Sequence, residues 1–169
     1  MDGEALRSVM RVFPQGVVVV TTALSDGEPR GVTVSSFMSV SLEPPLIVVC
    51  IMKKAQAHAA IESAGSFTVN ILAEDQGALS DHFATPNLTS AEQFATVPHE
   101  ARSGQPPLLS GSVAYLDCSV ADKITQGTHT LFVGDVRAGK VLREGRPLIF
   151  YSRRYWGVGE EGYERYERD

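Results

Sequence analysis

No apolar run in these 169 residues approaches the ~18 needed to span a bilayer, and none opens the chain as a signal peptide does. A membrane role is therefore not expected, and the cytoplasm is the default location. Basic excess is missing too: 15 Lys and Arg stand against 20 Asp and Glu, a net charge of −5, which argues against a nucleic-acid partner. Cysteine is scarce. Cys50 and Cys118 lie far apart in strand-like apolar runs, so buried free thiols are expected rather than a disulfide scaffold. The four histidines (His58, His82, His99, His129) lack paired ligand spacing, and no metal site is expected. No Ser-His-Asp or Cys-His context occurs. The acid pairs Glu74-Asp75 and Glu160-Glu161 read as helix-start and tail charges, which leaves a hydrolase little support. Gly157-x-Gly159-x-x-Gly162 matches a dinucleotide fingerprint in letters only. No convincing strand precedes it, seven residues follow it, and two glutamates would repel a pyrophosphate. Repeats, low-complexity tracts and interdomain linkers are absent, and 43% hydrophobic with 21% charged residues is ordinary for one soluble domain spanning 1–169.

What is present is mostly strand. Leu6, Val9, Met10 and Phe13 predict an amphipathic helix over 2–13, ended by Pro14. Strands over 16–23 and 30–37 flank the turn signal Ser25-Asp26-Gly27 and predict a hairpin. Leu46–Ile51 reads as a buried strand, 55–63 as an alanine-rich helix and Phe67–Leu72 as a strand. Glu74-Asp75 is expected to open a helix that runs to about Phe83. Residues 84–111 look irregular. Two long strands over 112–126 and 130–142 follow, then a short one over 147–151. Strands outnumber the short helices, which favours a mainly β fold: a closed antiparallel barrel with peripheral helices rather than a doubly wound sheet.

The segment Thr33-Val-Ser-Ser-Phe-Met-Ser-Val-Ser41, before Leu-Glu-Pro44-Pro45, carries the strongest local signal. Read as one strand, it alternates Thr33, Ser35, Phe37, Ser39 and Ser41 on one side with Val34, Ser36, Met38, Val40 and Leu42 on the other. Short hydroxyls let a flat ligand approach the backbone and offer donors and acceptors, though a solvated strand face has the same composition. His129, at the turn between the two longest strands, suits either a ligand at a barrel rim or a plain surface turn. Lys53-Lys54, where a strand gives way to a helix, suits a phosphate or solvent. Tyr151–Trp156 suits stacking on a planar ring or closing a barrel end. Asn70 interrupts an apolar strand and needs buried partners, from backbone or ligand.

Together, Phe13-Pro-Gln-Gly-Val-Val-Val-Val-Thr-Thr, Gly31 to Leu46, Gly65-Ser-Phe-Thr-Val-Asn-Ile-Leu, Asp81-His-Phe-Ala, Pro107 to Cys118 and His129-Thr-Leu-Phe-Val-Gly-Asp-Val resemble the flavin reductase-like family of FMN-binding split barrels. The resemblance runs from about Leu6 to Tyr155. It implies a Greek-key split barrel, typically homodimeric, with flavin sites near the subunit interface. It implies that Thr33, Val34, Ser35, Ser36, Ser39, Val40 and Ser41 contact the isoalloxazine and ribityl chain. Cys50, Ile51 and Met52, with the turn after them, would run beside the ribityl phosphate, and Phe83-Ala84 would border the flavin. His129 matches the histidine beside the bound nicotinamide, and Tyr155 lies near the ring. Two departures stand out. The family usually has serine or threonine in the phosphate-side turn, where this chain has Lys53-Lys54-Ala55-Gln56-Ala57, so a lysine has to substitute. The residue before the histidine is often Asp in the family and is Thr128 here.

The expected activity is NAD(P)H:flavin oxidoreduction, with FMN or FAD as flavin and NADH or NADPH as co-substrate, supplying a partner flavin-dependent monooxygenase. Hydride passes from nicotinamide C4 to flavin N5, and the protein's task is to stack the rings at about 3–3.5 Å. Two alternatives are a flavin electron carrier or store with little NAD(P)H activity, and a non-flavin dimeric adaptor barrel.

Overall fold

The computed structural model describes residues 1–24 and 26–159. Ser25, Glu160-Glu161 and Gly162 lie outside the described residues, so the predicted turn is described only from Asp26 and the glycine fingerprint only to Gly159. In chain order the elements are α1 (Gly3–Met10), β1 (Gln15–Gly16), β2 (Val18–Ala23), β3 (Pro29–Val34), β4 (Phe37–Leu42), β5 (Pro45–Met52), α2 (Gln56–Ala64), β6 (Ser66–Ile71), α3 (Gly77–Ala84), α4 (Ser90–Phe94), β7 (His99–Arg102), β8 (Gln105–Leu109), β9 (Ala114–Gln126), β10 (His129–Val141), β11 (Ile149–Tyr151) and β12 (Arg154–Trp156).

The fold is mainly β. Seven strands form one antiparallel sheet in the order β3-β2-β6-β9-β10-β5-β4, and β1-β11-β12 and β7-β8 form two small ones. The β-branched run Val17–Val20 explains β2: Val18 and Val20 enter a core with Val49, Ile51, Phe67 and Phe132, while Val17 and Val19 enter a second with Leu72, Phe83, Phe94 and Leu109. A strand buried on both faces reads as a continuous apolar run. Among the described residues no helix is long and apolar enough to cross a membrane.

Several expectations are corrected. The helix predicted over 2–13 stops at Met10, because Val12 and Phe13 bond three residues back, to Val9 and Met10 carbonyls at 3.2 Å each, and tighten the last turn. None of its residues is buried. The helix predicted from Glu74-Asp75 starts at Gly77, since Asp75 pairs with Arg143 at 3.2 Å and Gln76 Oε1 accepts from the Ala73 N–H. The stretch 84–111 is not irregular: it holds α4, started by a Thr89/Glu92 capping box, and the β7-β8 hairpin. Thr33–Ser41 is not one strand. The chain turns at Ser35-Ser36, and the β4 register shifts between Ser39 and Ser41, so a single alternation does not hold across it.

Beneath β7, Arg102 donates to both Asp117 carboxylate oxygens at 2.8 Å, and Thr68 donates to Asp117 Oδ1 at 2.6 Å. The hydrogen bonds it donates to Asp117, foremost, hold Arg102 above its ordinary pKa. A bidentate pair this buried fixes the strand carrying it against the β6–β9 face.

Candidate active site

Where β3 turns into β4, its last residues face the C-terminal end of β5, the start of α2 and the end of α3 across a cleft of about 590 Å³. That volume lies in the range of small-molecule sites. Of the residues singled out from sequence, Thr33, Val34, Ser35, Ser36, Cys50, Ile51, Met52, Lys54, Phe83, Ala84 and His129 line it. Four distant sequence segments thus converge on one concavity.

Local structure explains each placement. The hydroxyl-rich turn at Ser35-Ser36 is tied to β5 by Cys50 N donating to Ser36 O at 3.0 Å. Thr33 is already engaged: its hydroxyl donates to Ser80 O at 2.6 Å, leaving only acceptor capacity toward a ligand. Burial pushes the Cys50 thiol pKa up; Cys50 is half-buried on the cleft wall, so the expectation of two fully buried thiols holds only for Cys118.

The two lysines part company. Lys53 points its ammonium at Gly127 O, 3.4 Å away, while Lys54 lines the cleft. Beside Lys54, α2 begins at Gln56 with Ala55 as N-cap, and Ala55 makes no side-chain capping bond. The N-cap side chain therefore satisfies none of the helix's first N–H groups. His129 opens β10, paired across to Met52. Its Nδ1 shares a 2.9 Å hydrogen bond with the Thr128 hydroxyl, and Thr128 O accepts from Lys53 N at 2.9 Å. Thr128 thus supplies the imidazole with a side-chain partner.

Other expected residues stand outside the cleft lining. Ser39, Val40 and Ser41 are carried away by β4 once the chain has turned at Ser35-Ser36. Asn70 is fully buried and takes the backbone alternative: its amide nitrogen donates to Val19 O at 3.0 Å and its oxygen accepts from Leu109 N at 2.9 Å. Tyr155 donates to Asp81 Oδ1 at 2.7 Å and pairs with Ser80 Oγ at 2.9 Å, where the serine hydroxyl is left to donate, bracing α3 from behind; burial, foremost, raises its phenol pKa.

Sequence reasoning missed the opposite wall, Thr85–Leu88, and Gln93 and Gly31, which also line the cleft. Two signals were available: Pro86-Asn87, with Asn87 at φ 63°, and the Thr89-x-x-Glu92 capping box that starts α4. Phe83 lies on Gly31 so closely that a Cβ there would sit 2.5 Å from the ring. The glycine lets the aromatic wall touch the strand.

With that geometry, comparison with known proteins gives one answer. The family model for the flavin reductase like domain matches residues 10–159. The chain is 41% identical over 156 residues, 92% of its length and 80% of the relative's, to the reductase component of a 4-nitrophenol 4-monooxygenase/4-nitrocatechol 2-monooxygenase of Rhodococcus opacus. Nitrilotriacetate monooxygenase component B of Mycobacterium thermoresistibile shares 34% identity and superposes at a TM-score of 0.89, over 98% of this chain and 92% of that one. An NADH:FAD oxidoreductase of Streptomyces globisporus, solved with NAD and FAD fragments, superposes at 0.87 with 34% identity and 96% of each chain covered. A cleft lined by strand-end hydroxyls, a buried aromatic, a lysine and a histidine sits on the fold these proteins share, and the chain belongs to the flavin reductase like family.

Proposed function

We propose that this protein is an NAD(P)H:flavin oxidoreductase that binds FMN or FAD in the cleft and delivers reduced flavin to a partner monooxygenase. The observation that carries the reading is the convergence of Ser35-Ser36, Phe83, Lys54 and His129 on one 590 Å³ cleft. The donor set fits a flavin. Val32, Val34, Ile51 and Phe83 offer apolar walls to a flat ring system. Hydroxyls and backbone groups at the Ser35-Ser36 turn suit its polar pyrimidine edge, and Lys54 with the α2 start suits its phosphate.

The flavin, when bound, supplies the hydride-accepting chemistry. The chain's residues hold and orient. Backbone N–H groups and the Ser35 and Ser36 hydroxyls would favour the negative charge that develops on the ring. His129, hydrogen-bonded to Thr128, would position the nicotinamide, and no side chain has to move a proton. Ser39, Val40, Ser41, Lys53, Asn70 and Tyr155 would not touch the ring within one protomer. Tyr155 and Asn70 would support the site through Ser80 and β2.

The sheet closing into a split barrel belongs to the same reading. Its two edge strands, β3 and β4, are consecutive in the chain, and the short connection between them at Ser35-Ser36 runs beside β5, where Cys50 N donates to Ser36 O. So does a homodimer, supported by exposed Leu6, Val9, Phe13, Met38, Val40 and Leu42, and a cytoplasmic location for a chain acting as one domain. The test is steady-state oxidation of NADH and NADPH with and without FMN or FAD. Flavin-dependent oxidation with at least one nicotinamide is expected; none with either sinks the reading. An unchanged nicotinamide KM in His129→Ala removes that residue's role.

A further inference from the structure

Strand β3 is an edge of the large sheet, paired only with β2, where Gly31 faces Thr21. An edge strand leaves every second peptide without a strand partner, and a buried unpaired N–H or C=O is costly. At Gly31 a side chain takes the place of a neighbouring strand. Gln93 Oε1 accepts from Gly31 N at 3.1 Å, and Gln93 Nε2 donates to Gly31 O at 3.0 Å. The primary amide repeats the donor–acceptor pair of a peptide, and Gln93 is only 6% exposed.

Around it, the segment after α3 is pinned to the same edge. Ser90 Oγ donates to Pro29 O at 2.7 Å, and Arg30 donates to Leu88 O at 3.3 Å. His82 Nε2 lies 2.8 Å from Gln93 O, which must accept, so His82 donates from Nε2. Phe94 packs edge-on against Phe83, with centroids 5.3 Å apart. Gly31, Phe83, Thr85–Leu88 and Gln93 itself all line the cleft. One amide therefore joins the strand floor of the cleft to its far wall.

We infer that Gln93 is a positioning residue for the flavin. By reading both sides of the Gly31 peptide, it sets the distance between β3 and the wall formed by Phe83 and Thr85–Leu88. The inference rests on the flavin-binding reading above. Of the other ties, Ser90 and Arg30 reach single carbonyls, whereas Gln93 alone satisfies a donor and an acceptor of one residue.

The chemistry suggests a test with its own signature. In Gln93→Glu, a protonated carboxyl repeats the amide pattern, its O–H donating to Gly31 O and its C=O accepting from Gly31 N. The ionised carboxylate instead meets the Gly31 carbonyl head-on. The groups that also titrate or carry charge nearby are His82 on α3, Glu92 on α4, Arg30 on β3 and His99 against Phe94. All are retained in the wild type, whose pH profile is the control.

Full-length wild type, Gln93→Glu and Gln93→Leu are compared at about pH 5 and about pH 9.5, on either side of the shifted range for a buried glutamate. The readouts are FMN dissociation constant by fluorescence titration and amide exchange of residues 85–94. Gln93→Glu should bind FMN near wild-type strength at the lower pH and about tenfold more weakly at the higher, relative to wild type, with exchange in 85–94 rising in parallel. Gln93→Leu should be weak at both. Equal FMN affinity and equal exchange in Gln93→Glu at the two pH values, after correction by the wild type, overturn the inference. If Gln93→Leu does not fold, Gln93→Glu decides alone. If wild type binds no flavin, the functional reading fails, and the exchange arm still decides whether Gln93 sets the wall.

Discussion

Gly31→Ala isolates the contact on which the aromatic wall rests. Gly31 does not share the positive φ of Gly27 or Gly65, so alanine meets no backbone strain there. Replacing glycine on such a backbone stabilises by about 0.4–1 kcal/mol through the unfolded chain. Against that, the new Cβ would lie 2.5 Å from Phe83 Cε1 and 2.6 Å from Cδ1, well inside any real contact. Phe83 has little room to yield: it is 2% exposed and held edge-on by Phe94 and His82 at 5.3 and 5.4 Å. Overpacking of this kind costs about 1–3 kcal/mol, which exceeds the entropic gain. The expected net loss is about 1–2 kcal/mol in urea unfolding, with weakened FMN binding because the displaced ring and the strand both wall the cleft. Phe83→Leu should cost about 1–2 kcal/mol alone, and the double variant should be at least about 1 kcal/mol better than additive, since the smaller side chain makes room for the methyl. A neutral or stabilised Gly31→Ala, or strict additivity in the cycle, refutes the reasoning.

Arg102→Met strands the buried Asp117 carboxylate and should cost about 3–5 kcal/mol in urea unfolding; Arg102→Lys should recover only part of that, because one ammonium cannot span both oxygens. Lys54→Ala should weaken FMN about tenfold while leaving riboflavin nearly unchanged, and Lys53→Ala should do neither, as fluorescence titrations would read; equal losses for FMN and riboflavin contradict the phosphate role. Of the two thiols, Cys50 on the cleft wall should react first with a thiol reagent and be shielded by flavin, whereas Cys118 should stay inert. Cys118 is pushed up to about 12 by burial, foremost, and by Asp117 and Asp135, from an ordinary value of 9.0. Its protonated form is favoured by the fold, so the associated stability is complete below about pH 9 and is lost as pH rises toward about 12. Cys118→Ala should flatten that alkaline slope, and identical slopes would contradict it.

The strands were legible because their residues leave little choice. Val17–Val20 and Leu46–Ile51 are apolar and mostly β-branched without interruption; the first buries both faces, the second one face fully and the other by half. Most cleft residues were legible by resemblance, since Gly31 to Leu46, Asp81-His-Phe-Ala and the His129 strand carry family motifs. What failed was reasoning that assumed regularity. The Ser35-Ser36 turn breaks a period-two pattern that the letters still display, and this removes Ser39, Val40 and Ser41 from the cleft. The far wall was missed because its signals are local, a capping box at Thr89 and a left-handed Asn87, inside a stretch whose prolines suggested disorder of pattern. Gln93 was invisible for a deeper reason. Its role depends on which peptide of β3 lacks a strand partner, and that is a property of sheet order rather than of any window of sequence.

The most direct measurement is an anaerobic titration of the FMN-loaded protein with NADH and with NADPH, followed by the flavin absorption spectrum. Bleaching of the oxidised flavin band, at about one nicotinamide per flavin, with at least one of the two is the predicted result. A bound flavin that neither nicotinamide bleaches, or a protein that binds no flavin, contradicts the account.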